Sequence, residues 1–159
     1  MTTSTVSKVD AGPQRVARRV LVKAPAAEIF AIVADPHRHP ELDGSGTVRD
    51  IDVKGPHQPG VGDEFTVGMK QFGLPYKITS TVTERQDGKV IEWQHPLGHK
   101  WRWELVQATP GDDTVTEVTE TFDYSTAKLP FMITAFGYEK KNAEGITATL
   151  QRLADRFGS

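Results

Sequence analysis

Residues 22–42 read VKAPAAEIFAIVADPHRHPEL, and this stretch decides how the first part of the fold is arranged. The loosely alternating residues 16–22 predict a strand that ends where the stretch begins. Residues 26–34 carry a single apolar stripe, which is typical of a short helix. Pro36 and Pro40 interrupt that helix, because proline removes a backbone donor and restricts the residue before it. The stretch therefore predicts one strand followed by two short helices.

From residue 47 onward, the apolar residues recur with period two, which is typical of half-buried strands. Glycine, proline and aspartate turns separate these segments, and the compact turns predict antiparallel pairing of neighbours. The predicted strands cover residues 47–54, 63–71, 75–86, 89–95, 99–108 and 114–124.

The C-terminal segment has the pattern of a long amphipathic helix. Its apolar residues recur at spacings of three and four, and they are Ala143, Ile146, Leu150, Leu153 and Phe157. We expect this helix to begin near Ile133 and to end at Gly158. Because its apolar stripe must be buried on one face of the sheet, the order of elements predicts an α+β domain.

Composition restricts the classes of function. The net charge of −2 provides no general attraction to phosphate backbones or anionic lipid, so we expect no nucleic-acid partner. The chain has no cysteine, which excludes thiolate nucleophiles and cysteine-ligated metals. It also lacks an apolar run long enough for a membrane span, so no stable membrane insertion is expected. We interpret residues 1–14 as a flexible tail and 15–159 as one cytoplasmic domain.

The stretch at 22–42, followed at the far end by a long helix, resembles the START-like (SRPBCC) group of polyketide cyclase/dehydrase and lipid-transport proteins. The resemblance extends over about residues 15–157. It implies a helix-grip fold, in which a curved seven-stranded antiparallel sheet wraps around the last helix. The two short helices would close one end.

The resemblance also implies a cavity, because a strongly curved sheet is too wide for one helical stripe to fill. Strand alternation then assigns the inner face, where all three tryptophans fall in phase with apolar neighbours. The predicted ligand-binding residues are Phe30, Val33, Phe65, Val67, Met69, Tyr76, Ile78, Val82, Trp93, His95, Trp101, Trp103, Glu120, Phe122, Phe136, Gly145 and Ile146. The alternative interpretation is that these rings only fill the core.

Three polar side chains in phase with the inner face are candidates to orient a ligand. An inward carboxylate is costly unless it is paired or protonated, so Glu120 indicates a ligand anchor or a general base; the alternative is a bulge that turns it to solvent. His95 could donate to a ligand carbonyl or be a solvated turn histidine. Tyr76 could orient a ligand with its hydroxyl or be an ordinary core tyrosine.

Gly145 interrupts the helical stripe, where glycine costs about 0.5–1 kcal/mol relative to alanine. It could open room for a ligand, or allow close contact between helix and sheet. His37 and His39 lie in a proline-bounded turn without a metal-binding spacing, so we read them as an exposed helix end. We expect no metal and no cofactor, and a Gly-x-Ser-x-Gly nucleophile motif is absent.

The leading hypothesis is therefore a carrier of an apolar small molecule such as a lipid, polyketide, isoprenoid or aromatic metabolite, present as a monomer or homodimer. The second is a polyketide cyclase or dehydratase in which Glu120 or His95 acts as acid or base. The third is a protein-interaction module without an open cavity, which an exposed row of large apolar residues would favour. We favour the carrier over the enzyme.

Overall fold

The computed structural model describes residues 5–42, 48–71 and 74–158. Within these ranges the strands are β1 (Ser7–Val9), β2 (Arg15–Val22), β3 (Val48–Lys54), β4 (Glu64–Gln71), β5 (Leu74–Gln86), β6 (Val90–Gln94), β7 (Lys100–Thr109) and β8 (Asp112–Asp123). The helices are α1 (Ala26–Val33), α2 (His39–Leu42), α3 (Pro130–Ala135) and α4 (Tyr138–Arg156), with a 3₁₀ turn at Pro36–Arg38 between α1 and α2.

The strands form one antiparallel sheet in the order β1-β2-β8-β7-β6-β5-β4-β3. Consecutive strands from β3 to β8 pair as hairpins, and β2 pairs with β8. The predicted α+β class, antiparallel sheet and C-terminal helix are confirmed. Each predicted strand lies within about two residues of an observed one, because alternation of apolar and polar residues is imposed locally by the pleat.

The prediction of seven strands was wrong, because the described residues contain an eighth. Ser7–Val9 pair with the edge of β2, with Lys8 opposite Arg18. This segment is short and polar and has no clear alternation, but its backbone satisfies donors and acceptors that the β2 edge would otherwise expose. The strand lies inside the segment that we interpreted as a tail. The division of the chain at residue 15 stays a prediction.

The core lies between the inner face of the sheet and the helices. Helix α4 lies mainly against β2 and, less extensively, against β8, whereas α1 lies against β7 and β8. On α4 the buried stripe includes Ile146, Leu150 and Leu153. Helix α1 buries Ile29, Phe30 and Val33. The two helices thus cover one part of the inner face more completely than the other.

The C-terminal helix is divided, so the prediction of one helix beginning near Ile133 was wrong. Helix α3 ends at Ala135, and α4 begins only at Tyr138. Between them Gly137 has a φ of 70°, the left-handed conformation in which glycine commonly ends a helix. Helix α3 has no buried residue. Among the described residues, no helix is long and apolar enough to cross a lipid bilayer.

Candidate functional site

Part of the inner face of the sheet remains uncovered by the helices. Across β4 to β7, the side chains of Met69, Ile78, Trp93 and Trp101 are only half-buried, and Tyr76 is 38% exposed. These five residues line what we call the aromatic groove. Met69 lies opposite Tyr76 at one end of the groove, and Trp93 lies opposite Trp101 at the other. The two pairs are separated along β5, where Trp93 lies opposite Val82, six residues from Tyr76. The groove exists because α4 crosses the sheet at β2 and β8 instead of over its middle strands.

Aromatic side chains pack in two groups along the wall of the groove. The Phe65 and Trp93 rings meet edge to face at 5.6 Å, and the Trp101 and Phe122 centroids are 4.9 Å apart. Phe122 in turn stacks on Tyr124. Such contacts hold the rings in fixed orientations, so the wall of the groove is preformed.

His39 also belongs to this wall, which corrects our interpretation of it as an exposed helix end. Its ring stacks on Trp93 with centroids 5.0 Å apart, and its Nε2 lies 2.9 Å from the carbonyl oxygen of Val33. The one-turn helix α2 directs the side chain toward the sheet. Spacing along the chain could not reveal this, because the contact joins residues 54 positions apart.

The predicted ligand-binding residues fall into three groups. Phe30, Val33, Phe65, Val67, Val82, Trp103, Glu120, Phe122 and Ile146 are buried. Met69, Ile78, Trp93, His95, Trp101 and Gly145 are half-buried, whereas Tyr76 and Phe136 are exposed. Phe136 lies on the surface between α3 and α4, 6.2 Å from the Tyr138 ring. Contact of any of these residues with a ligand stays a prediction.

Glu120 lies on the inner face and is 7% exposed, so alternation predicted its orientation. It lies opposite Arg18 on β2 and opposite Trp103 on β7. The next strand in the same row contributes Ile91, which is 1% exposed. Glu120 is therefore one row deeper than the Trp93 and Trp101 pair, in a part of the sheet that the helices cover.

Two histidines stack at the end of the groove, where the turn between β6 and β7 begins and ends. The rings of His95 and His99 are 4.1 Å apart, and His99 also meets the edge of the buried Phe122 ring. Burial, together with the neighbouring His95, lowers the pKa of His99 to about 4. Burial also lowers the pKa of His95. Both rings are therefore predominantly neutral at pH 7. Of the two, only His95 is among the predicted ligand-binding residues.

The tyrosine hydroxyls at the mouth of the groove are neutral as well. Burial and the nearby Tyr138 raise the pKa of Tyr76. Burial and a hydrogen bond to Glu139 raise the pKa of Tyr124, whose hydroxyl donates to Glu139 Oε2 at 2.9 Å. That bond ties the first turn of α4 to the end of β8.

The remaining histidines of the short helices make local contacts. His37 Nε2 lies 2.7 Å from the carbonyl oxygen of Gly55, and its ring stacks on His57. His57 Nδ1 lies 3.0 Å from Asp35 Oδ2. Within residues 5–42, 48–71 and 74–158, no group of three or more acidic or histidine side chains is placed to hold a metal ion.

Two concavities open to solvent lie outside the aromatic groove, and the first of them shares His95 with the end of the groove. One, of about 460 Å³, is lined by Glu64, Thr79, Thr81, Gln94, His95, Pro96, Gly98 and Lys128. The other, of about 500 Å³, is lined by Lys8, Arg18, Ala143, Glu144, Thr147, Ala148 and Gln151. The threonines of the first alternate with the buried Ser80, which places them on the outer face of β5. The enclosed cavity implied by the family resemblance stays a prediction.

A sequence profile described as polyketide cyclase / dehydrase and lipid transport matches residues 13–158. The chain belongs to this family. An uncharacterized protein of Mycobacterium tuberculosis H37Rv, Rv0088, is 55% identical over 158 residues, which cover 96% of the chain and 68% of that protein.

Solved structures of other proteins share the fold of this chain. A START superfamily protein from Mycobacterium smegmatis has a TM-score of 0.66 at 17% identity, covering 90% of the chain and 96% of its own. A Rhodobacter sphaeroides protein has a TM-score of 0.70 at 16% identity, covering 95% and 96%. The START-like recognition made from residues 22–42 is confirmed.

Proposed function

We propose that the chain binds a small apolar molecule in the aromatic groove. The observation that supports this most directly is the incomplete cover of the inner face, where Trp93 and Trp101 remain half-buried beside Met69 and Ile78. Large apolar side chains left accessible together on one face form the kind of patch that marks a binding site. The chain also belongs to the polyketide cyclase / dehydrase and lipid transport family, whose description is consistent with an apolar ligand.

Burial of the ligand supplies the binding free energy. Apolar surface removed from water contributes roughly 25 cal/mol per Å², from which the entropic cost of association is subtracted. Rings held by edge contacts lose little freedom when a ligand arrives, because they are already ordered. The groove is therefore suited to a flat or branched apolar compound that contacts the two indoles.

Helix α3 lies beside the Tyr124 end of the groove wall, where the Thr134 side chain bonds to the Tyr124 hydroxyl. It also exposes further apolar side chains. Phe131 is 67% exposed, and Leu129 and Met132 also reach solvent. Ile133 packs against the core. We infer that α3 covers the bound ligand, because an exposed apolar helix next to an apolar groove gains by closing over its contents.

A neutral apolar dye, N-phenyl-1-naphthylamine, tests the groove through its gain in fluorescence on burial. Replacing Ile78 by Trp fills the groove from β5, and we expect dye affinity to fall at least about tenfold. The matched control is Thr79→Trp, which places the same ring on the outer face of the same strand. Equal affinity in both variants would place the dye elsewhere and contradict the proposal.

A second candidate function is docking of a protein partner through α3. It is favoured by the exposure of Phe131 and Phe136, at 67% and 66%. Native mass spectrometry of the protein purified from its own source distinguishes the two. A bound apolar mass of a few hundred daltons supports the ligand, whereas a stoichiometric protein complex without such a mass supports docking.

The same preparation tests catalysis. Incubation that returns the co-purified molecule unchanged supports a carrier. Chemical conversion that is lost in Glu120→Gln would instead identify an acid–base enzyme. We favour the carrier, because Glu120 lies one row below the accessible indoles, next to the buried Trp103.

A further inference from the structure

The turn between β6 and β7 is held rigidly at the end of the aromatic groove. The Gly98 carbonyl accepts hydrogen bonds from Gln94 Nε2 and Thr126 Oγ1, and Lys128 N–H donates to the carbonyl of Leu97. The strand ends are closed by a bond from His95 N–H to the carbonyl of His99. The two stacked imidazoles are thus fixed relative to the indoles.

The hydrogen bonds of His95 determine its tautomer. Its Nδ1 accepts the backbone N–H of Leu97 at 3.0 Å, so this nitrogen carries no proton. A neutral imidazole with Nδ1 as acceptor carries its proton on Nε2. His95 therefore presents Nε2–H as a donor whose direction is set by the turn.

His99 has unused hydrogen-bonding capacity. Its Nδ1 is shielded from solvent and has no hydrogen-bond partner within the part of the chain that the structure describes. A buried polar atom left in this condition costs roughly 1–3 kcal/mol. Rotation of the ring about its Cβ–Cγ bond exchanges Nδ1 with Cδ2, so the nitrogen can be offered to a neighbouring group without movement of the backbone.

We propose that His95 and His99 form the polar anchor of the groove and select apolar ligands that carry an uncharged oxygen, a hydroxyl or ketone. A hydroxyl oxygen accepts from His95 Nε2–H and can donate its own proton to His99. A carboxylate fits poorly in the groove, because burying an anion requires a compensating cation, both imidazoles are neutral, and Lys128 lines the concavity on the outer face of the sheet. This inference rests on the proposed binding function and specifies its ligand class.

Three probes of nearly equal size test the inference: 2-naphthol, 2-methylnaphthalene and 2-naphthoate, each measured by displacement of N-phenyl-1-naphthylamine. We expect the wild-type protein to bind 2-naphthol about three- to tenfold more tightly than 2-methylnaphthalene, as for one net hydrogen bond. 2-Naphthoate should bind most weakly.

Replacing His99 by Phe keeps a ring of similar shape and removes both nitrogens. We expect His99→Phe to reduce the preference for 2-naphthol, because only the bond from His95 Nε2–H remains, while its affinity for 2-methylnaphthalene changes less than about twofold. The matched control is His57→Phe, because His57 is 72% exposed and belongs to the Asp35 contact. This control should keep the preference.

The outcomes separate the two proposals. Tighter binding of 2-methylnaphthalene would overturn the polar anchor and leave apolar binding standing, whereas tightest binding of 2-naphthoate would overturn the uncharged class. Failure of all three probes to displace the dye would overturn both proposals. If His99→Phe does not fold, long-range ¹H–¹⁵N spectra of the wild type serve instead. Addition of 2-naphthol must then shift the ring nitrogens of His95 and His99, and unchanged shifts would overturn the anchor.

Discussion

Gly98 shows how a single residue can set the geometry of the site. Its φ of 98° lies in the left-handed region, and a Cβ at this position would lie 2.4 Å from the carbonyl oxygen of Thr126. The turn can therefore pack against residues 126–128 only with glycine at position 98. Through this contact the histidine pair is joined to the segment that leads into α3.

Substitution of Gly98 by Ala is expected to lower the free energy of unfolding by more than about 2 kcal/mol, because backbone strain and a steric clash add. Gly88→Ala is the control, since Gly88 also has a positive φ of 75° but nothing lies within 4 Å of its added Cβ. It should cost about 1 kcal/mol. Urea unfolding measures the free energy of unfolding of both variants. Equal losses would contradict a steric clash at position 98.

His99 makes stability depend on pH in a defined direction. Its pKa in the folded protein is about 4, below the ordinary value of 6.5, so the unfolded chain binds more protons between these values. The stability that depends on neutral His99 is fully present above pH 6.5 and is lost as pH falls toward 4. Protonation therefore favours unfolding in this window.

The comparison of wild type with His99→Phe isolates this effect from other titrating groups. Between pH 7 and pH 5, we expect the wild type to lose roughly 1–2 kcal/mol more unfolding free energy than the variant. Urea titrations at pH 7, 6 and 5 give the difference directly. Equal losses of unfolding free energy in the two proteins would show that the pKa of His99 is not lowered in the folded state.

At the scale of elements, α4 is stabilised by its buried stripe and not by intrinsic propensity. Leu150 has no exposed surface and lies between Ile146 and Leu153 on that stripe. Leu150→Ala should therefore cost about 2–5 kcal/mol, since it removes apolar contacts and leaves a cavity. The type-matched control, Leu97→Ala, changes a turn residue that is 56% exposed and should cost under about 1 kcal/mol. If the two variants had similar midpoints in thermal unfolding, the buried packing of Leu150 would not stabilise α4 as proposed.

The division between α3 and α4 separates two mechanical roles. Helix α4 is part of the core, whereas α3 buries no residue of its own. The break at Gly137 lets α3 change its angle without disturbing the packed stripe, because the left-handed residue already interrupts the helical hydrogen bonds. This arrangement suits α3 to act as the cover of the groove.

At the scale of the whole molecule, the groove results from unequal cover of one face of a sheet. Gly145 lies on the side of α4 next to the buried Ile146, one turn before Thr149, whose hydroxyl donates to the Gly145 carbonyl. We expect a large side chain here to enter the space between helix and sheet. The pocket-opening interpretation of Gly145 depends on that geometry.

Gly145→Leu is therefore expected to weaken binding of N-phenyl-1-naphthylamine at least about fivefold. Gly145→Ala, the control, should preserve binding and stabilise the helix by about 0.5–1 kcal/mol. Dye titration and thermal unfolding measure the two effects. Unchanged dye affinity in Gly145→Leu would exclude a role of this glycine in opening the groove.

The amino-acid sequence by itself determined seven of the eight strands in the described residues, the inward face of those strands, the α+β class and the family. Alternation placed Glu120 and the tryptophan rings on the inner face, because the direction of a strand side chain is a local property of the backbone. The resemblance of residues 22–42 identified the START-like fold, because that pattern is also continuous along the chain.

Only the tertiary structure decided which inward residues stay accessible. The pairing of β1, the stacking of His39 on Trp93 and the unsatisfied nitrogen of His99 all depend on contacts between distant segments. The path of α4 over β2 and β8, which leaves the groove beside them, depends on how whole elements pack. Local periodicity shows which face is apolar, but how far that face is covered is a property of the assembled molecule.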